Sequence, residues 1–182
     1  METATVAERR IGIRDYFEIL FEIIRSPARY YQKVASETGS RNALFFLMIS
    51  AVFYCSVSMA YFFENSLAMG VVMMVNAVVM PVFSAAITFI LLSMTGIGRV
   101  SYGRVFNIYG YASGAVMVVS WIPGLAIVME PIRAALVCVG LVKVTGIGKI
   151  KSIFIVVLTA LLLLLFFWTA APLVFELQQL LH

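Results

Sequence analysis

Long runs without a charged residue dominate the hydropathy pattern of this 182-residue chain. A continuous apolar stretch of about 18 or more residues is typical of a transmembrane helix, which satisfies its backbone polar groups internally. Strands of an outer-membrane barrel are only about ten residues long and alternate in polarity, so they do not fit this pattern. The pattern therefore predicts an all-α integral membrane protein. The charge-free runs are 42–63, 65–98, 105–129 and 152–175.

Helix-breaking and polar residues divide these runs into a predicted bundle of five transmembrane helices. Pro81 is expected to kink or break the long second span. The fourth span is the weakest, because Glu130, Pro131 and Arg133 interrupt it. The segment 123–133 is either helical, which pairs Glu130 with Arg133 at i and i+3, or an outer loop or re-entrant turn. The predicted spans are 42–63, 67–94, 104–121, 125–143 and 152–172.

The region ahead of the spans carries charge throughout. Between residues 11 and 25, apolar positions recur at helical spacing on one face and charges line the other, which predicts an amphipathic helix. Ser26 and Pro27 supply an N-cap and a first-turn residue for a second short helix over 27–36. The first helix lies either in the membrane interface, which we favour, or on the bundle as a cytosolic cap. Its apolar positions are Ile13, Phe17, Leu20 and Ile24, opposite Arg14, Glu18, Glu22 and Arg25.

Composition sharpens this picture. Apolar residues make up 63% of the chain and charged residues 12%, against roughly 45–50% and about 25% in soluble domains. These values exclude a soluble domain, a disordered chain, a nucleic-acid-binding module and a disulfide-stapled scaffold. Thirteen of the charged residues lie within 1–41. We therefore divide the chain into an N-terminal segment 1–41, a transmembrane domain 42–172 and a short C-terminal tail 173–182.

The basic residues predict an orientation. With the N-terminus inside, twelve of the thirteen basic residues fall on that side, and only Arg133 lies outside. Lysine and arginine accumulate on the cytoplasmic side of membrane proteins. We therefore expect a cytoplasmic N-terminus and a C-terminus on the opposite side of a cell membrane, the bacterial cytoplasmic membrane in the simplest case. The asymmetry also supports the fourth span. Without that span, residues 143–151 would lie on the opposite side of the membrane from residues 99–104, and the charge asymmetry would be weaker.

The third predicted span carries small and polar residues that favour close helix packing. Gly110 and Gly114 form a GxxxG motif, whose missing side chains let two helix backbones approach each other. The neighbouring polar residues form either a hydrogen-bonded packing cluster, which we favour, or a ligand site. The complete set is Gly110, Gly114, Asn107, Tyr111 and Ser113, with Asn76 from the second span.

A short glycine motif occurs twice along the chain. Thr95-Gly-Ile-Gly-Arg-Val100 recurs as Thr145-Gly-Ile-Gly-Lys-Ile150, and each copy follows one span and precedes another. Glycines beside a positive charge either cradle a lipid phosphate or end a helix and mark the cytoplasmic side. Neither copy has the spacing of a nucleotide-binding P-loop. The candidate headgroup contacts are Arg29, Lys33, Arg41, Arg99, Arg104, Lys149 and Lys151.

Residues suited to catalysis are scarce. The single histidine is His182, which leaves no histidine-based metal cluster or catalytic triad. Cys55 and Cys138 lie within predicted spans, where cysteine behaves as a small apolar residue. Glu130 and Arg133 form either part of a substrate path or a charge pair at the outer interface. We therefore predict no enzyme activity, no cofactor and no metal.

Several short motifs follow one another in a characteristic order. Ile23-Ile-Arg-Ser-Pro-Ala-Arg-Tyr-Tyr31 precedes the spans, and Arg99-Val-Ser-Tyr-Gly-Arg-Val-Phe106 precedes Tyr109-Gly-Tyr-Ala112. In this order the chain resembles the Yip1 family of small multi-span membrane proteins, over about residues 19–172. That family usually has a proline shortly after the Tyr-Ala, where this chain has Ser113-Gly114. The remaining matches are Ile122-Pro-Gly124, Gly140-Leu-Val-Lys143 and Gly146-Ile-Gly-Lys-Ile-Lys151.

The resemblance implies a modest set of properties. Yip1-family proteins have five spans and a cytosolic N-terminus. Eukaryotic members are linked to vesicle traffic and small-GTPase partners, and some bacterial members are thought to accompany export machinery. The short cytosolic segment of this chain is more similar to the bacterial type, which argues against a GTPase partner.

The main functional hypothesis is a non-enzymatic scaffold or accessory subunit of a membrane trafficking or export complex. Its expected partners are membrane lipids and a protein partner or a second copy of the chain, without nucleic acid. The alternative is a small transporter or channel with Glu130 and Arg133 in its path. A third hypothesis, an intramembrane lipid-modifying enzyme, is disfavoured by the lack of a histidine within the spans.

Overall fold

Helices account for all regular structure in the residues that the computed structural model describes, which are 12–37, 39–62, 66–95 and 100–180. Residues 1–11 of the predicted N-terminal segment and Arg99 of the predicted headgroup contacts lie outside these ranges. The helices are α1 (Ile13–Arg25), α2 (Pro27–Val34), α3 (Arg41–Phe62), α4 (Leu67–Met94), α5 (Tyr102–Ser120), α6 (Leu125–Thr145) and α7 (Lys149–Leu180).

Four of the described helices are long and apolar enough to cross a membrane. They are α3, α4, α6 and the Lys149–Thr169 part of α7, and they match four of the predicted spans to within a few residues. The third predicted span corresponds to α5, which is a helix of 19 residues but is not among these four. Its sequence is more polar than those of its neighbours.

The position of α5 explains how a more polar helix is accommodated. Every residue from Val105 to Val116 is buried, and the helix packs against α1, α2, α3, α4 and α6. These neighbours shield α5, so its polar groups meet other side chains instead of the surroundings of the bundle. The helix also continues without interruption through Ser113-Gly114, where the family usually has a proline.

Contacts at both ends show that α3 and α5 run parallel. At their N-terminal ends, the Ser40 hydroxyl donates a hydrogen bond to the Gly103 carbonyl oxygen over 3.2 Å. At their C-terminal ends, the rings of Tyr61 and Trp121 stack with centroids 5.6 Å apart. α5 therefore extends over the full height of α3. Since α4 and α6 run the opposite way, the N-terminal ends of α3, α5 and α7 lie at one end of the bundle.

Two prolines lie inside helices without ending them. α4 is one continuous helix of 28 residues across Pro81, so a break at this proline is wrong, and a kink stays a prediction. α6 begins at Leu125 and continues through Pro131, so the outer loop or re-entrant turn is also wrong for residues 125–133. Gly124, at φ 82°, supplies the sharp turn before α6 that other residues adopt only with strain.

α7 does not end where the transmembrane domain was predicted to end. The helix continues from Lys149 to Leu180, so no change of secondary structure marks a boundary at residue 172. The division into residues 1–41, 42–172 and 173–182 therefore stays a prediction.

The N-terminal helix pair, α1 and α2, packs on the side of the bundle. Leu20 of the predicted apolar face is buried, but Phe17 and Ile24 are exposed. The stripe that α1 buries against the bundle is therefore shifted from the predicted apolar face. A second apolar stripe on the same helix stays exposed. The buried residues are Tyr16, Leu20 and Ile23, and the exposed stripe is Phe17, Phe21 and Ile24.

Candidate functional site

The N-terminal helix pair is fixed to the bundle by aromatic side chains. Tyr31 of α2 is fully buried, and its hydroxyl donates a hydrogen bond to the Ile108 carbonyl oxygen of α5 over 3.4 Å. Its ring also borders Gly140 of α6, where an added Cβ would lie 3.2 Å from Tyr31 Cε1. Tyr31 of α2 therefore contacts both α5 and α6. Its ring lies so close to α6 that position 140 requires glycine.

A chain of rings continues from this point across four helices. Tyr30 packs edge-on against Tyr111 with centroids 5.1 Å apart, and Phe46 lies 5.6 Å from the same ring. Tyr16 packs on Phe46 at 4.8 Å, and its hydroxyl lies 2.9 Å from the Ser50 hydroxyl. Edge-to-face and tilted pairs of this kind stabilise packing by about 0.5–1.5 kcal/mol beyond their buried area. The rings link α1, α2, α3 and α5 into one rigid cluster.

Glu37 is a carboxylate placed against this aromatic cluster. The Tyr111 hydroxyl lies 3.3 Å from both Glu37 carboxylate oxygens and donates to them. Burial raises the pKa of the Glu37 carboxyl above its ordinary range, and the hydrogen bond from Tyr111 opposes part of that rise. Glu37 also lines a cavity of about 240 Å³ between α1 and α5, where Lys33 and Glu22 form an ion pair.

Asn107 holds the linker between α2 and α3. Its Nδ2 donates to the Gly39 carbonyl oxygen over 2.9 Å, which fixes the orientation of the amide. Its Oδ1 is buried and has no hydrogen-bond partner among the described residues, and the same is true of the Ser113 hydroxyl. Asn107 and Arg104 also line a polar cavity of about 280 Å³. Asn107 therefore connects the linker to the centre of the bundle.

The predicted GxxxG motif lies on the face of α5 that meets α3. A Cβ added at Gly110 would lie 3.4 Å from both Cβ and the carbonyl oxygen of Ala43. A Cβ added at Gly114 would lie 2.8 Å from the ring of Phe46 and 3.2 Å from the Ser50 hydroxyl oxygen. Both glycines therefore permit the close approach of two helices within a single chain.

Asn76 does not join the other members of the predicted packing set. Asn107, Tyr111 and Ser113 are buried in α5, whereas Asn76 is exposed on α4. Asn76 lies five residues before Pro81, and the sequence did not indicate which face of α4 the bundle covers, because the helix is apolar on all sides.

A second polar cluster, which the sequence did not predict, joins α4, α5 and α7. The Thr88 hydroxyl lies 2.7 Å from the Tyr109 hydroxyl and 2.9 Å from the Thr159 hydroxyl, and Thr88 and Thr159 are almost completely buried. Hydrogen bonds between helices add to van der Waals packing inside a bilayer. Thr88 is the single threonine of α4 and Thr159 is one of two in α7, and Tyr109 directly precedes the Gly-Tyr-Ala motif, so no local pattern brings these three residues together.

The predicted intramembrane charge pair lies on the outside of α6. Arg133 and Glu130 form an ion pair at i and i+3, and 58% of the Glu130 side chain is exposed. The pair is close to the Gly124 end of the helix, away from the N-terminal helix pair. The helical alternative for 123–133 is therefore the one that places these two residues together.

The predicted headgroup contacts gather at one end of the bundle. Arg41, Arg104 and Lys149 lie in the first turns of α3, α5 and α7, which all begin at that end. Lys33 forms an ion pair with Glu22. The exposed members in the described residues are Arg29, Lys33, Arg41, Arg104, Lys149 and Lys151.

Comparison with known proteins identifies the family from nearly the whole fold. The family model of the Yip1 domain matches residues 21–171, from the middle of α1 into α7. The chain belongs to the Yip1 family. It is therefore a membrane protein of a family that is not an enzyme family and whose members interact with other proteins. No curated protein and no solved structure gives a significant match to this Yip1-family chain.

Titration of Glu37 is expected to make stability depend on pH. Because its pKa is raised, the folded chain holds this proton more tightly than the unfolded chain. The free energy of unfolding therefore falls as pH rises from the ordinary glutamate pKa to the raised one, and is constant above it. The other titratable groups at the adjoining cavities and rings are Tyr30, Tyr111, Asp15, Glu18, Glu22, Lys33 and Arg104.

The measurement is the thermal midpoint in detergent as a function of pH, for the parent chain and for Glu37→Gln. Subtracting the two curves removes the contribution of the other groups. We expect the advantage of Glu37→Gln to grow with pH across this window. A difference that does not change with pH would show that Glu37 titrates alike in the folded and unfolded chains.

Proposed function

We propose that this Yip1-family protein is a non-enzymatic scaffold or accessory subunit of a membrane trafficking or export complex, which binds a protein partner or lipid. The packing of α5 carries the proposal, because residues Val105 to Val116 are buried without interruption. The large rings of Tyr31, Tyr111 and Phe46 fill the space around them. A centre filled by side chains suits a protein that acts through its outer surface.

We include α5 as a fifth span. It extends over the full height of α3 and contacts that helix at both ends, so the two cross the bilayer together. Its 19 residues span about 28 Å, close to the roughly 30 Å hydrocarbon core. Five spans place the chain termini on opposite sides, with the N-terminus and the basic end of the bundle in the cytoplasm. Cysteines placed at Arg41 and Lys149 should be labelled from one side, and one at Pro123 from the other.

The exposed stripe of α1 supports a place for this helix in the membrane interface. Tyr16 contacts Ser50, about 13 Å along α3 from its start, so α1 lies beside the bundle instead of above it. Phe17, Phe21 and Ile24 then face the surrounding lipid, as expected for an interfacial amphipathic helix. The basic residues at the N-terminal ends of α3, α5 and α7 then lie near lipid phosphates at the end of the bundle.

The span formed by α7 is the least buried of the four candidate spans, so its outer surface is open to a partner. α7 packs mainly against α4 and α6, and large apolar side chains from Phe154 to Trp168 are exposed along it. The ion pair of Glu130 with Arg133 also lies on the outside of the bundle, which gives no support to a solute path through it. We therefore place the binding of partners on the lipid-facing surface.

The test combines cross-linking with reconstitution. A photoreactive residue at Leu164, which is 66% exposed, should form an adduct of defined mass in native membranes, whereas one at Ile155, which is 3% exposed, should not. The adduct should persist when Glu130 is changed to Gln. Solute flux by the purified protein in proteoliposomes, or equal adducts from both positions, would contradict the proposal.

A further inference from the structure

A groove outside the N-terminal site lies on the outer wall of the bundle. It has a volume of about 570 Å³ and lies between α2, α6 and α7. Its walls are almost entirely apolar, and two lysines stand at one end. The groove is lined by residues that include Ala28, Ala135, Val142, Ile153, Lys143 and Lys149.

The repeated glycine motif explains why the two lysines share this groove. α6 ends at Thr145, and Gly146 adopts a left-handed conformation at φ 74° that turns the chain sharply. Ile147 is buried and anchors the turn. α7 then begins at Lys149, so the last turn of α6 and the first turn of α7 present Lys143 and Lys149 side by side. The second copy of the motif therefore forms the turn that brings the two lysines together.

The two lysines have no acidic partner in the part of the chain that the structure describes. Both side chains are exposed. The first backbone N–H groups of α7 add positive potential at the same place, and Gly148 before them has no side chain that could cap them. The groove thus has an apolar wall and a positive end.

Among the molecules that surround a membrane protein, one class matches both features. An acyl chain fits the apolar wall, and an anionic phosphate headgroup fits the lysines at the cytoplasmic end of the bundle. A zwitterionic lipid carries its own cation and gains less from the lysines. We infer that the groove between α2, α6 and α7 binds one anionic phospholipid, with its acyl chain along α6 and its phosphate at Lys143 and Lys149. This inference rests on the membrane orientation in the proposed function and specifies its lipid partner.

The experiment is native mass spectrometry of the full chain in mild detergent, titrated with phosphatidylglycerol or phosphatidylcholine of identical acyl chains. The parent protein should retain one phosphatidylglycerol in preference to phosphatidylcholine. Lys143→Gln with Lys149→Gln should weaken that binding roughly 10- to 30-fold, the effect of removing two basic residues near an anionic lipid. Arg14→Gln with Arg25→Gln is the charge-matched control, since both arginines are exposed on α1 and do not line the groove.

A second variant tests the apolar wall without changing charge. Ala135→Phe would fill the groove and should displace the lipid, while the folded protein elutes unchanged from size exclusion. Free glycerol phosphate should not compete, because it lacks the acyl chain. Equal loss with the Arg14 and Arg25 double variant, equal binding of both lipids, or an unaffected Ala135→Phe protein would each overturn the inference. Loss of the Leu164 adduct with intact lipid binding would instead contradict the scaffold proposal alone.

Discussion

Replacing Gly140 by leucine is expected to abolish the folded bundle. A Cβ at this position would lie 2.5 Å from Ile108 Cγ2 and 3.2 Å from Tyr31 Cε1. Both neighbours are completely buried, so neither can move away without displacing the core. Even alanine should lower the free energy of unfolding by about 1–3 kcal/mol, the usual effect of overpacking. Leucine should exceed this and prevent α2 from docking, which fluorescence-detected size exclusion would show as loss of the monodisperse peak.

Two comparisons isolate the contact at Gly140. Ala160→Leu places the same side chain at an exposed position of α7 and should leave the elution profile unchanged. In an Ile108→Ala background the space beside Gly140 is open, so Gly140→Ala should become nearly neutral in a double-mutant cycle. If Gly140→Ala destabilises both backgrounds equally, its effect does not arise from the contact with Ile108.

Replacing Gly114 by leucine should separate α3 from α5. Phe46 lies against Gly114, with ring carbons 2.8 Å from an added Cβ, and is itself held between the rings of Tyr16 and Tyr111. Its ring therefore has no room to turn away. We expect loss of the folded monomer, with a cost of at least about 3 kcal/mol, the upper end of the usual overpacking range.

The graded control for this prediction lies one turn away. Gly110→Ala adds a methyl group at ordinary contact distance from Ala43 and should be tolerated, whereas Gly114→Ala should not. Thermal midpoints of the two alanine variants measure the difference. A Gly114→Leu chain that stays a folded monomer and loses only self-association would place the GxxxG motif at an interface between copies, which contradicts the contacts described above.

Patterns along single helices predicted most of the fold. Charge-free runs predicted both ends of α3 and α4 and the start of α7 to within a few residues, because a bilayer imposes a minimum apolar length. The two short helices before them followed from helical spacing and from Pro27 at a first-turn position. Each of these features depends on residues close together in sequence.

Contacts between helices were harder to predict. Gly110 and Gly114 were found because their spacing of four is a known packing motif, but Gly140 stands alone and only its neighbours in space reveal its role. Thr88 and Thr159 are 71 residues apart, and no local pattern pairs them. The face of α1 was predicted only in part, because its apolar residues cover two stripes and the sequence does not show which one the bundle covers.

The burial of α5 has a consequence for how the protein is made. Insertion from the translocon favours helices rich in leucine, isoleucine, phenylalanine and valine, each of which contributes about −0.3 to −0.6 kcal/mol. α7 is rich in such residues, whereas α5 has asparagine, tyrosine, serine and glycine in their place. As the fifth span proposed above, α5 would depend on α3, α4 and α6 to remain in the bilayer, so its insertion and its packing would be coupled. Variants that loosen this helix should reveal themselves first as mis-inserted chains that are rapidly degraded in the cell.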